Sequence, residues 1–114
     1  MVANGTPSLD LIFGALADPT RRSILERLSR GEASITELTE RFEISQPAIS
    51  RHVKVLERAG LVERSRRAQL RPCTLRPEPL AAAARWIGGY VDFHEASYDN
   101  LANYLEGLQS PSDD

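Results

Sequence analysis

SITELTERFEISQPAISRHVKVLERAG, Ser34 to Gly60, carries two helix-start signals only eleven residues apart. Ser34 followed three residues later by Glu37 is a capping box, in which the hydroxyl accepts from a first-turn N–H and the carboxylate reaches back. Ile35, Leu38 and Phe42 then give a short helix one apolar face. Glu43 and Ile44 lead through a turn to Ser45, which caps a second helix. Pro47 falls in that helix's first turn, where its missing N–H breaks no internal bond. At about 100° per residue, Ile49, Val53 and Leu56 line one face of the second helix. Pro47, Arg51, Lys54 and Arg58 line the opposite face, with Ser50 beside them. Gly60 stops the helix. Two helices joined by a tight turn, the second aliphatic inside and basic outside, read as a helix-turn-helix over about 34–60.

The flanks extend the pattern. Upstream, Leu9, Ile12, Phe13 and Leu16 have helical spacing behind Ser8 as cap, so a first helix is expected over about 8–17. Asp18 caps the next, with Pro19 at its first position; Ile24, Leu25 and Leu28 are its apolar face, and Gly31 ends it. Downstream, the period shortens. Leu61-Val62 begins a strand, SRRA is a turn candidate, and Leu70–Leu75 returns, giving a basic hairpin over about 61–76. Pro72 would restrict the second strand to an edge or a bulge. A last helix over about 78–108 follows. Its residues Leu80, Ala84, Ile87, Val91, His94, Tyr98, Leu101, Leu105 and Leu108 step alternately by four and three, which is a heptad seam. Gly88-Gly89 interrupts it, predicting a bend or a close approach of two backbones. The expected fold is mainly α: one winged helix-turn-helix domain over 1–114, with a two-stranded β-hairpin wing and a long C-terminal dimerisation helix.

Composition sets the outer limits. The chain has 114 residues, 41% of them hydrophobic, which suits one globular domain. No apolar run approaches a membrane span, and the N-terminus carries no signal-peptide pattern, so a cytoplasmic protein with no membrane partner is expected. One cysteine excludes an internal disulfide framework. Two histidines, no glycine-rich phosphate loop and no Ser/His/Asp set that can be brought together argue against an enzyme. The formal net charge is only −2, yet the charge is segregated. Between residues 51 and 76 stand eight Arg/Lys against two Glu, while residues 86–114 hold six acids and no Lys or Arg. A concentrated basic patch is the footprint of phosphate binding whatever the total charge.

These features assign roles. The second helix of such a pair enters the major groove with its N-terminal residues at base edges. Ser45, Gln46, Ser50 and Arg51 stand there, where Gln suits adenine and Arg suits guanine. Pro47 offers an apolar edge to a thymine methyl. Lys54 and Arg58, further along, meet phosphate. Arg64, Arg66, Arg67 and Arg71 on the hairpin reach the backbone or an adjacent minor groove. His52 lies near the core edge and is assigned to a bond with the neighbouring helix or backbone. The seam on the last helix needs a partner: its own copy in a dimer, the first helix, or both. The expected dimer contacts are Leu9, Ile12, Phe13, Ile87, Val91, His94, Tyr98, Leu101 and Leu105.

DPTRRSILERL, then ITELTERFEISQPAISRHVKVLERAGLVERSRRAQLRPCTLRPEPL and the following ARWI, resemble the ArsR/SmtB family of bacterial winged-helix repressors across roughly residues 9–105. SQPAISRHVKVLERAGLV is the most specific part. The resemblance implies a homodimer joined by the first and last helices, binding a palindromic double-stranded operator with two half-sites about one helical turn apart and repressing transcription. Some members of the family sense metals. One such site uses cysteines of the third helix, and ITELTERF has none. Another takes Asp-x-His on the last helix with ligands eleven and fourteen residues after the His. Asp92-x-His94 is present here, but Leu105 and Leu108 occupy the later positions, so the tetrahedral set is incomplete. No metal and no cofactor are therefore expected. Cys73 has no resolving partner and reads as packing. The alternatives are a metal- or redox-responsive sensor of the same fold, or a dimeric interaction module without DNA binding, which the basic outer face disfavours.

Overall fold

The computed structural model describes residues 8–66, 69 and 71–109, and the side chains of all of these except 92–99, 108 and 109. The described elements run α1 (Leu9–Leu16), α2 (Pro19–Leu28), α3 (Ile35–Phe42), α4 (Gln46–Arg58), β1 (Val62–Arg64), β2 (Cys73–Leu75) and α5 (Glu78–Gln109).

Polar side chains start the first four helices, as the sequence predicts. Ser8 Oγ accepts from Leu11 N at 3.4 Å and Asp18 Oδ2 from Arg21 N at 3.0 Å. Ser34 Oγ accepts from Glu37 N at 3.1 Å while Glu37 Oε1 accepts from Ser34 N at 2.8 Å, so the capping box is reciprocal. Ser45 Oγ accepts from Ala48 N at 3.2 Å. Each such cap satisfies a first-turn N–H that the helix itself cannot, and is worth about 1 kcal/mol. Between α3 and α4 the chain reverses through Glu43, which is left-handed at φ 56° without being glycine. Ser29, two residues before Gly31, caps the end of α2, and Ala59 caps α4. Gly60, just beyond that cap, takes φ 78°. Leu61 N then donates to Leu56 O and Gly60 N to Glu57 O, both at 2.9 Å. That is a Schellman closure, and its apolar partners Leu56 and Leu61 are both fully buried.

The hairpin is shorter than expected. β1 and β2 pair antiparallel in the register Val62↔Leu75, Glu63↔Thr74 and Arg64↔Cys73. The second strand begins at Cys73 rather than Leu70. Pro72 lacks the N–H that would carry the ladder back, although its carbonyl still accepts from Ser65 N at 2.9 Å. Nor is β2 a plain edge. Cys73 N donates to Ala33 O at 2.7 Å and Ala33 N to Cys73 O at 3.1 Å, so β2 pairs on both sides at that residue.

Packing follows the periodicity. Ile24, Leu25 and Leu28 of α2, Ile35 and Leu38 of α3, and Ile49, Val53 and Leu56 of α4 meet Leu61, Val62 and Cys73 in one core. A Leu→Ala change at a fully buried position such as Leu38 costs about 2–5 kcal/mol. This unit ends at Ala83, and a second begins at Ala84. The described part of the second unit is the remainder of α5. Trp86, Ile87, Tyr90, Val91, Leu101, Tyr104 and Leu105 on it are all exposed. Among the described residues no helix is long and apolar enough to cross a membrane.

Candidate nucleic-acid interface

α4 divides as projected. Ile49, Val53 and Leu56 are buried, while Ser45, Gln46, Pro47, Arg51, Lys54 and Arg58 are exposed and Ser50 is half-buried. Among the described residues no hydrogen bond or ion pair holds the side chains of Arg51, Lys54 or Arg58. Unpaired guanidinium and ammonium groups on one rigid helix face are ready donors for phosphate and for guanine N7/O6. The helix itself is held from within by its apolar face, so those donors are fixed in relative position. Ser45 spends its hydroxyl oxygen as the N-cap acceptor and keeps its proton to donate.

The wing is less uniform. Arg66 and Arg71 are exposed, and Arg71 is left-handed at φ 47°. Arg67 lies outside the described residues. Arg64 departs from expectation. It shares the inward face of β1 with Val62, and its Nε is buried with no partner among the described residues. It lies close enough to Cys73 for its charge to act on the thiol. Strand alternation accounts for this: two residues on from a buried valine, a side chain must start inward. Arg76, counted in the basic stretch, is committed elsewhere. It donates to Glu63 Oε1 at 2.6 Å and lies 3.5 Å from Glu78 Oε1. Those two carboxylates raise its pKa.

The expected dimer residues sort similarly. Ile87, Val91, Leu101 and Leu105 are exposed, and Leu9 and Phe13 are half-buried. The side chains of His94 and Tyr98, like that of Asp92, lie outside the described residues. Ile12 does not fit its expected role, because it is 0% exposed within its own chain. Its neighbour Leu11 is exposed instead. Helical spacing puts Ile12 on one face with Leu9, Phe13 and Leu16, and only the packing shows that the chain's own core covers it. Sequence reasoning also missed Val55, an exposed aliphatic on α4, and Arg21, which bridges α1, α2 and α4. An arginine three residues after a capping Asp, just past the end of another helix, was the available signal.

Comparison with known proteins agrees with this arrangement. A family model described as a helix-turn-helix domain matches residues 16–65. The HTH-type transcriptional regulator Rv2034 of Mycobacterium tuberculosis is 44% identical over 107 residues, covering 94% of each chain. The transcriptional repressor SdpR of Bacillus subtilis is 32% identical over 81 residues, 71% of this chain and 90% of that one. A crystal structure of an ArsR-family transcriptional regulator superposes with a TM-score of 0.70 at 38% identity, covering 76% of this chain and 96% of the other. A core-anchored α4 with a basic outer face, a two-stranded wing and relatives of this extent agree: the chain belongs to the ArsR family of winged helix-turn-helix transcriptional regulators, which are DNA-binding proteins and not enzymes.

Proposed function

We propose that this regulator works as a homodimeric repressor in the cytoplasm, reading a palindromic operator with α4 and gripping its backbone with the wing. One observation carries the reading: α4 buries its aliphatic face completely while Gln46, Arg51, Lys54 and Arg58 stand exposed on the same helix. Gln46, Ser50 and Arg51 read base edges, Pro47 meets a thymine methyl, and Lys54 and Arg58 bind phosphate. Arg66, Arg67 and Arg71 on the wing add backbone or minor-groove contacts. Arg64, turned inward, contributes to the wing's packing more than to DNA. The whole chain acts as one winged helix-turn-helix domain, with the helix-turn-helix over 34–60 and the wing over 61–76. The first and last helices, 8–17 and 78–108, serve dimerisation. Ile87 and Val91, each 41% exposed in the single chain, form an apolar seam with Leu101 and Leu105 that a second α5 covers. Leu9 and Phe13 of α1, half-buried in the single chain, add further dimer contacts. Repression follows the relative described as a transcriptional repressor.

Selection from a random pool of DNA duplexes tests this. The protein should enrich a two-fold symmetric site whose half-sites lie roughly one helical turn, 10–10.5 base pairs, apart. Its affinity should fall steeply as salt rises, because each phosphate contact releases a counterion. Enrichment of no sequence, or of an asymmetric one, would defeat the proposal.

A further inference from the structure

Arg21 sits where three helices meet. Its Nε donates to Ala15 O at 2.8 Å and its Nη2 to Gly14 O at 3.1 Å, so it closes the last turn of α1. Its Nη1 lies 3.3 Å from His52 Nδ1 on α4. Its backbone N–H donates to Asp18 Oδ2, and that same carboxylate oxygen lies 3.9 Å from His52 Nδ1. Arginine has donors only, so the contact is a hydrogen bond in the tautomer of His52 that leaves Nδ1 free to accept. The planar fork fixes all three acceptors at once, which a lysine point charge would not do. One guanidinium therefore joins the end of α1 to the middle of the reading helix.

Arg22 supplies an internal comparison. Its Nη1 donates to Leu16 O at 2.7 Å, so it too closes α1. No described bond takes its side chain to α4. Capping of α1 and coupling of α1 to α4 are thus carried by adjacent residues and can be separated.

We propose that Arg21 is a positioning residue: by clamping His52 to the α1 carbonyls of Gly14 and Ala15 it fixes the angle of α4 on α1, and so the separation of the two reading helices. The inference rests on the dimeric, two-half-site reading, in which α1 belongs to the interface. A helix held by its apolar face alone can still roll on the core, because aliphatic contacts are not directional. A planar three-way hydrogen-bonded fork is directional, and it acts at the edge of α4's buried face, about 60° around the helix from Ile49. Loss of the clamp should leave contacts with a single half-site nearly intact and loosen the register between two.

The test measures binding of the full chain to two duplexes, the selected operator and the same operator with one base pair inserted between half-sites. A non-specific duplex reports the electrostatic background. The insertion should weaken wild-type binding roughly tenfold or more, on the scale of a mismatched base pair. Arg21→Ala and His52→Leu should lose most of that penalty while keeping wild-type affinity for the non-specific duplex. His52→Asn, which returns an acceptor near Nδ1, should restore the penalty, and Arg22→Ala should retain it. His52 is partly exposed, so His52→Leu leaves the core intact even where Arg21→Ala lowers stability; thermal melts of each variant check this. Retention of the full penalty by Arg21→Ala and His52→Leu overturns the inference. So does an equal relaxation by Arg22→Ala, which would make the effect one of capping alone. An insertion without effect on the wild type would instead strike the two-half-site reading itself.

Discussion

Cys73 shows how much one position can be decided by its surroundings. It is fully buried and pairs through its backbone with Ala33. Burial raises its pKa, the Glu57 charge adds to this, and nearby Arg64 only partly opposes it. Since the thiolate is the nucleophile, Cys73 should react with a soluble disulfide reagent about a hundredfold more slowly in the native protein than in denaturant. Prompt native labelling would contradict that environment. Asp18 gives a second residue-level expectation. Its backbone bond from Arg21, with help from His52 and Arg21 charge, lowers its pKa below 3.8. A group with a depressed folded pKa stabilises the native state above its unfolded pKa and loses that contribution as pH falls through the folded one. Asp18→Asn should therefore melt lower than wild type at pH 7, and the gap should shrink towards pH 3. A gap independent of pH would mean the carboxylate charge contributes nothing.

At the scale of elements, caps and turns account for most of what was readable. Ser34–Glu37, Asp18-Pro19 and Ser45 named their helices because capping is a local interaction between residues three apart. The turn at Glu43 was harder, since a left-handed glutamate leaves no glycine to mark it. The hairpin is shorter than its apolar run because Pro72 cannot donate to the ladder, and the pairing of Cys73 with Ala33 was not readable because it joins residues far apart in sequence. Ile12 and Arg64 were misplaced for a similar reason: periodicity gives a face, and only tertiary packing says which face is covered. The outer face of α4 was legible because a helix face needs nothing but spacing. Gly60 tests the closure of α4. Its φ of 78° disfavours a side chain, and an added Cβ would meet Pro79 Cγ at 3.4 Å. Gly60→Ala should cost about 1 kcal/mol in denaturant unfolding, and a neutral result would discount the Schellman closure. An added Cβ at Gly88 or Gly89 meets nothing within 4 Å in the single chain. Of the two expectations there, a bend or a close approach of backbones, the close approach is not made among the described residues of the single chain.

At the scale of the whole molecule, the net charge of −2 conceals a basic middle and an acidic tail. That segregation lets a protein of net negative charge hold DNA through its basic segment, with a cost at high salt. The apolar residues exposed on α5 give the other whole-molecule expectation. Val91→Asp places a charge where the seam would be buried, while the single chain already leaves that position exposed. The variant should fold normally yet dissociate about a hundredfold more readily in sedimentation, a loss of about 2.7 kcal/mol. An unchanged dimer would move the interface elsewhere. The central claim is that the outer face of α4 reads sequence. Its most direct test compares wild type and Arg51→Ala on the selected operator and a scrambled duplex at matched salt. Loss of a base-edge contact should cost about 1–3 kcal/mol on the operator and little on the scrambled duplex, collapsing the discrimination between them. Equal weakening on both duplexes, or discrimination left intact, would contradict the assignment.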